Sequence, residues 1–285
     1  MAASLALYGV GHVRLQRRSA RYRAQYRAAQ NPGPPHAPRR MQLAAFLGGW
    51  FVLAAALVSP LDSLANLLFS AHMVQHEAMM IVAAPLLVLG RPLCVWMWAM
   101  PHGMRRAVGA FVRVRVVKAA WRHLTSPVSA WLLHAVALWA WHAPALFEAA
   151  LADPIVHTLQ HASFLASALV LWWTMFPASG RAGGSTRGSG AAMLSLFTTM
   201  VHTGALGALI ALSPGVWYPS YIERSSALGF DPLSDQQLGG LIMWVPGAAA
   251  YLVGALVIAA RWLARPASPS LIASEARMAA TEDSP

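Results

Sequence analysis

The chain has 285 residues, of which 57% are hydrophobic and 11% are charged. Because soluble domains carry about 25% charged residues, this composition indicates a multi-pass protein embedded in a lipid bilayer. The formal net charge of +11 does not indicate nucleic-acid binding, since the basic residues lie between apolar segments and form no nucleic-acid-binding motif.

The N-terminal segment 1–13 is apolar but shorter than the roughly 20 residues that a membrane-spanning helix needs. It is expected to be either a truncated first span or a segment at the membrane interface. A basic segment, 14–40, follows it and is expected in the cytoplasm. Six later segments are long and apolar enough to cross a bilayer: 41–59, 68–89, 126–142, 156–176, 191–212 and 238–261.

Backbone polar groups cannot stay unpaired in lipid, so these segments are expected to be helical. We therefore predict an all-α fold, a polytopic transmembrane helical bundle of six full spans plus a partial N-terminal span. Residues 1–262 would form this transmembrane helical domain. The polar stretch 263–285, which is rich in small residues, is expected to be a disordered cytoplasmic tail.

Basic residues mark one side of the predicted bundle. Every lysine and arginine except Arg224 falls in the N-terminal segment, in the loops after the second and fourth spans, or after the sixth span. The positive-inside rule makes this side cytoplasmic. The predicted location is therefore a bacterial plasma (inner) membrane, with the basic loops and the C-terminus in the cytoplasm.

Histidines concentrate towards the opposite side, although ionisable residues in a bilayer are expensive and usually functional. The sequences HMVQH from His72 to His76 and HTLQH from His157 to His161 each place two imidazoles on one helical face, about 6 Å apart along the axis. Cys94 is the single cysteine, so a metal would need histidine, methionine or oxygen ligands. The predicted metal ligands are His72, His76, His157, His161 and His202.

Further residues are candidates for supporting these ligands. Glu77 lies well inside a span and could accept an imidazole N–H or join a proton path. His142 closes the third span at the same surface, and Met200 offers a soft thioether. His134 suits either a ligand or an interhelical hydrogen bond. The candidate supporting residues are Glu77, His142, Met200 and Asp235.

The start of the last span carries two ordinary helix signals. Ser234 and Gln237 match a capping box, with Ser234 at the N-cap and Gln237 at the third helical position. Asp235 favours the same helix N-terminus electrostatically. Because it also lies beside the predicted histidine cluster, a functional role for Asp235 stays open.

Several stretches in order resemble the CtaG family of integral-membrane cytochrome c oxidase assembly factors. They are 72–76 with 84–92, 157–173, 201–207, 213–221 and 235–244, and they extend over most of 41–262. The resemblance implies a role in maturing a haem–copper oxidase by supplying copper to its active site.

Three functions are compatible with these residues. The leading hypothesis is a copper-binding assembly factor that takes up Cu(I), from a periplasmic or extracellular copper chaperone, and passes it to a cytochrome c oxidase subunit. The alternatives are a membrane haem protein with histidine axial ligands in electron transfer, or a metal or proton transporter. No nucleophile–base arrangement indicates an enzyme.

The charge asymmetry predicts the outcome of cysteine labelling in intact cells. In a Cys94→Ser background, Glu223→Cys should react with a membrane-impermeant maleimide, whereas Arg105→Cys should react only after lysis, because basic loops are retained inside. Labelling of Arg105→Cys from outside would contradict the predicted orientation.

Overall fold

The computed structural model describes residues 2–28, 39–176 and 186–264. Within these ranges the chain forms α-helices and one π-helical segment, Ala78–Ala83, and no strand, which confirms the predicted all-α polytopic bundle. Most of the predicted tail, 265–285, lies outside the described residues. The helices are α1 (Ala2–Ala28), α2 (Arg39–Val58), α3 (Pro60–Ala65), α4 (Phe69–Glu77), α5 (Ala84–Leu89), α6 (Pro92–Ala99), α7 (His102–Phe111), α8 (Arg115–Leu124), α9 (Pro127–His142), α10 (Pro144–Ala152), α11 (Pro154–Met175), α12 (Thr186–Ala211), α13 (Ser220–Ala227) and α14 (Pro232–Leu263).

Five helical stretches among the described residues are long and apolar enough to cross a membrane, as expected for a multi-pass protein. They are α2, α4 with α5, α11, most of α12 and most of α14. The third predicted span differs, because α9 has only 16 residues and spans about 24 Å. It becomes a sixth candidate only together with α10, which bends away by 74°. Pro144 accounts for the bend, since Ala143 before it adopts an extended backbone.

The apolar N-terminal segment is packed against the bundle. Within the described residues it belongs to α1, whose buried Tyr8 stacks on Phe46 with ring centroids 3.6 Å apart. The Tyr8 hydroxyl donates to the Gly90 carbonyl at 2.7 Å. Arg14 donates to the Ala99 carbonyl at 2.7 Å, which pairs an otherwise free carbonyl in the last turn of α6. Residues 2–13 are therefore the first half of a longer helix and not an isolated segment.

The second span is interrupted by the π-helical segment between α4 and α5. Pro85 has no amide hydrogen to donate towards Ile81, and proline disturbs the helical turn before it. Glu77 directly precedes the widened segment, and its carboxylate faces α14 at Gly247. A Cβ at Gly247 would lie 3.2 Å from Glu77 Oε2, so the glycine leaves room for the carboxylate.

The helices α12 and α14 approach each other closely at their backbones. A Cβ at Gly207 would lie 2.7 Å from the Trp244 amide nitrogen, and one at Gly240 would lie 2.7 Å from the Gly207 carbonyl oxygen. Small residues permit such close approach between membrane helices. This contact positions α14 relative to α12, and hence positions Asp235 near the start of α14.

Filling this contact should weaken the fold. We expect Gly240→Ala to destabilise the protein by about 1–3 kcal/mol, because the added methyl meets rigid backbone. Thermal unfolding in detergent measures the effect. Gly103→Ala, whose Cβ would have no neighbour within 4 Å, serves as the matched control. Equal stability of the two variants would contradict the close contact.

Candidate metal centre

Five histidines meet at one end of the bundle, where α4, α11 and α14 begin and α9 and α12 end. We call this the histidine end. Within each HxxxH pair the ring centroids are 4.3 Å apart for His72 and His76 and 4.2 Å for His157 and His161. Between the pairs, His72 lies 5.3 Å from His157 and His76 lies 5.1 Å from His161. The two pairs therefore face each other between α4 and α11, and His142 is the fifth member of the cluster.

Three of these residues satisfy the spacing of a metal site. One ring nitrogen from each of His72, His157 and His161 lies within 4.8 Å of the other two. Metal–imidazole bonds are about 2 Å long, so small adjustments of the side chains would let the three nitrogens bind one ion. His72 is fully buried, whereas His157 and His161 are half-buried.

Hydrogen bonds define the protonation of His72. The Tyr221 hydroxyl donates its single hydrogen to the Ala65 carbonyl at 2.8 Å, and burial raises the pKa of Tyr221 well above its ordinary value, which preserves that hydrogen. His72 Nδ1 lies 3.1 Å from the hydroxyl oxygen and 3.3 Å from the same carbonyl oxygen. Because neither oxygen has a hydrogen left to donate, Nδ1 carries the ring hydrogen and is the donor. The lone pair of His72 Nε2 is therefore free, as in metal-bound histidines oriented by an outer hydrogen bond.

His142 has the same arrangement at the C-terminal end of α9. Its Nδ1 donates to the Leu138 carbonyl at 2.7 Å, which leaves the lone pair on Nε2. Its ring centroid lies 6.3 Å from that of His76. The Tyr218 hydroxyl donates to the His142 carbonyl at 2.9 Å and so holds the bend between α9 and α10.

Buried polar atoms are usually paired, but the histidine end is an exception. Several ring nitrogens there are buried and have no hydrogen-bond partner among the described residues. The side-chain amide of Gln160 is also buried without a partner. A bound cation would supply the missing partner of one nitrogen in each ring, the nitrogen that carries the lone pair. The unpartnered ring nitrogens are His72 Nε2, both nitrogens of His76, His142 Nε2, His157 Nε2 and His161 Nε2.

Asp235 supports this region structurally. Its carboxylate accepts from the Phe69 amide at 2.7 Å, from the Ser70 amide at 3.3 Å and from the Ser70 hydroxyl. It therefore caps the N-terminus of α4, the helix that carries His72 and His76. A buried carboxylate from α14 thus fixes the start of α4.

The predicted capping box at the start of α14 is wrong. The N-cap is Asp231, whose carboxylate accepts from the Ser234 amide at 2.8 Å. Gln237 instead donates to the Ser213 carbonyl at 3.2 Å. Pro232 is the reason, since proline suits the first helical position and starts the helix earlier.

The structure does not bring three of the predicted residues into the cluster. The His202 ring lies 5.6 Å from Trp131, near the end of α9 opposite His142, and both its nitrogens lack partners in the described chain. Met200 packs against the apolar core. Glu77 Oε2 is buried without a partner beside Gly247, so its predicted bond to an imidazole is not formed.

His134 lies outside the cluster and joins three helices. Its Nδ1 contacts the Ser167 hydroxyl at 3.1 Å, and its Nε2 contacts the Tyr251 hydroxyl at 3.1 Å. Both ring nitrogens are therefore occupied, and His134 acts as an interhelical hydrogen bonder.

A groove of about 430 Å³ leads to the cluster. Asp62 of α3 lines this groove together with His157 and His161 of α11. Asp62 Oδ1 accepts from Gln75 Nε2 at 2.8 Å, and the same Gln75 nitrogen donates to the Ala56 carbonyl at 2.8 Å. The residues that line the groove are Leu57, Asp62, Met79, Pro154, His157, Thr158, His161, Ala162 and Leu165.

A family model described as cytochrome c oxidase caa3 assembly factor (Caa3_CtaG) matches residues 6–265. The chain belongs to this family. Comparisons with curated proteins and with solved structures find no match. Membership in the Caa3_CtaG family confirms the resemblance seen in the sequence and links the chain to assembly of cytochrome c oxidase.

Two contributors to the site of this Caa3_CtaG protein were missed by sequence reasoning. Tyr221 orients His72 from α13, far along the chain, and no local pattern indicates that contact. Asp62 of α3 was not among the site residues predicted from the sequence. The one signal available in the sequence was that Asp62 lies in the helix just before HMVQH. Segments so close in sequence cannot lie far apart in the fold.

Proposed function

We propose that this assembly factor binds Cu(I) through the histidine cluster and supplies it to a subunit of cytochrome c oxidase. The observation that carries the proposal is the set of buried, unpartnered ring nitrogens of the cluster in a chain of the Caa3_CtaG family. Copper is the cargo in this account. A copper chaperone outside the membrane would be its source.

The charge of the cluster favours a monovalent ion. Imidazoles bind copper and zinc alike, but neutral ligands do not compensate the charge of the ion. The three-histidine group includes no carboxylate. Because burying charge is costly and the cost rises steeply with the charge, such a site suits Cu(I) better than a divalent ion.

The groove offers a route for the ion. Asp62 is half-buried and lines the groove together with His157 and His161, so a cation in the groove lies near a carboxylate as well as near the half-buried imidazoles. A charge of one sign in a cleft raises the local concentration of the opposite ion. His72 lies behind these two histidines and is fully buried.

The packing favours an ion over haem. The His72 ring lies 5.2 Å from Phe147, and the His76 ring lies 4.7 Å from Phe164. A haem needs a wide flat slot between two axial ligands, whereas here histidine and aromatic rings contact one another. An absorption spectrum of the purified protein without a Soret band agrees with the copper proposal; a haem band would contradict it.

The double variant His72→Ala/His76→Ala tests the proposal. We expect the affinity for Cu(I) to fall by more than about 100-fold. This loss exceeds the usual effect of removing one outer-shell contact, because two direct ligands are removed. Membrane levels should stay near those of the wild type, because removing two polar groups eases insertion. In cells whose only copy of this protein is the variant, the copper content and the activity of the partner oxidase should fall.

His202→Ala is the matched control, because it removes a half-buried histidine that lies outside the cluster. It should leave Cu(I) affinity and oxidase maturation unchanged. Normal oxidase activity with the double variant would contradict the proposed function. Release of copper across liposome membranes, without transfer to the oxidase, would instead indicate a transporter.

Asp62→Asn tests the route of entry. Asparagine can still accept from Gln75, so we expect unchanged binding capacity but a several-fold slower uptake of Cu(I) at low salt. The difference should shrink at high ionic strength, because salt screens the lost charge. Stopped-flow uptake measures both, with the exposed Glu223→Gln as control. Equal rates for Asp62→Asn and the wild type at low salt would contradict this route.

A further inference from the structure

His76 and His142 remain after the three-histidine group has been assigned. His76 is 1% exposed and both its ring nitrogens are unpartnered. His142 is 2% exposed, and its Nε2 carries a free lone pair because Nδ1 donates to Leu138. Neither belongs to the group formed by His72, His157 and His161.

We infer that His76 and His142 form a second, two-coordinate position for a soft monovalent cation, distinct from the three-histidine position. The inference rests on the proposed function, since both positions would handle the same cargo. It adds that the protein holds more than one ion and that His142 is a ligand in its own right.

The spacing of the two rings suits one ion between them. Two imidazole nitrogens on opposite sides of an ion, with bonds of about 2 Å each, place the ring centroids roughly 6 Å apart. The observed separation is 6.3 Å, with the ring planes at 79°. Linear coordination by two nitrogens satisfies a d¹⁰ monovalent ion, whereas divalent ions require more ligands.

The surroundings of the pair are aromatic. Phe164 lies 4.7 Å from the His76 ring and 5.8 Å from the His142 ring, and Phe147 lies 6.1 Å from His142. These phenyl rings supply no ligand atom of their own. They therefore favour an ion that the two ring nitrogens alone can satisfy.

His76 connects the two positions. Its ring lies 4.3 Å from His72 and 5.1 Å from His161, which belong to the first position, and it also faces His142. His157 and His161 line the groove, whereas His76 and His142 do not. An ion would therefore enter at the three-histidine position and move inward by exchange through His76.

Binding stoichiometry tests the inference. The purified full chain in detergent is titrated with Cu(I) against a colorimetric Cu(I) chelator under reducing, oxygen-free conditions. We expect about two molar equivalents for the wild type and about one for His142→Ala, since losing one of two ligands abolishes a two-coordinate site. His134→Ala, on the same helix but with both ring nitrogens already bonded, should retain about two, and so should His202→Ala.

The outcomes separate this inference from the proposed function. A wild-type protein that binds a single ion, or a His142→Ala variant with wild-type stoichiometry, overturns the second position and leaves copper binding at the first intact. A wild-type protein that binds no Cu(I) overturns the proposed function itself. Where His142→Ala does not fold, His142→Gln, which retains a polar side chain of similar length, takes its place with the same expectation.

Discussion

Leaving buried polar atoms unpaired costs free energy, and this constraint governs the histidine end. An unsatisfied buried group costs about 1–3 kcal/mol, and this cluster contains several ring nitrogens without a partner. Surrounding contacts leave Nε2 free in two of these rings: Ala65 and Tyr221 engage Nδ1 of His72, and Leu138 engages Nδ1 of His142. Under the proposed function, the cargo ion compensates this cost when it binds.

The scaffold positions the cluster through contacts between distant parts of the chain. Glycines allow α12 and α14 to touch, and α14 in turn presents Asp235 to the N-terminus of α4. That carboxylate sets where α4 begins and therefore how far along the bundle His72 and His76 lie. Opposite them, the bend at Ala143 ends α9 where His142 can face His76. The bend at Ala143 therefore has two effects: it breaks the sixth candidate span, and it leaves His142 available as a ligand.

The local features of the site could be predicted from the sequence, whereas its long-range features could not. The HxxxH pairs follow from helix geometry, and their similar depth follows from the positions at which the spans begin. His202 was grouped with them on depth alone, but neither the rotation nor the register of α12 can be read from hydropathy, and its ring faces Trp131. The role of Asp235 lies in a bond to a residue 166 positions away. The capping box failed because Pro232 competes with Ser234 for the helix start.

The most direct measurement of the central claim is X-ray absorption at the copper edge of the Cu(I)-loaded protein. The account predicts a first shell of nitrogen alone, at about 2 Å, with the outer-shell scattering that imidazole rings produce. Met73, Met200 and Cys94 could offer sulfur, but the cluster is built from histidine. A sulfur scatterer in the first shell, or the absence of imidazole scattering, would contradict the assignment of these histidines as the ligands.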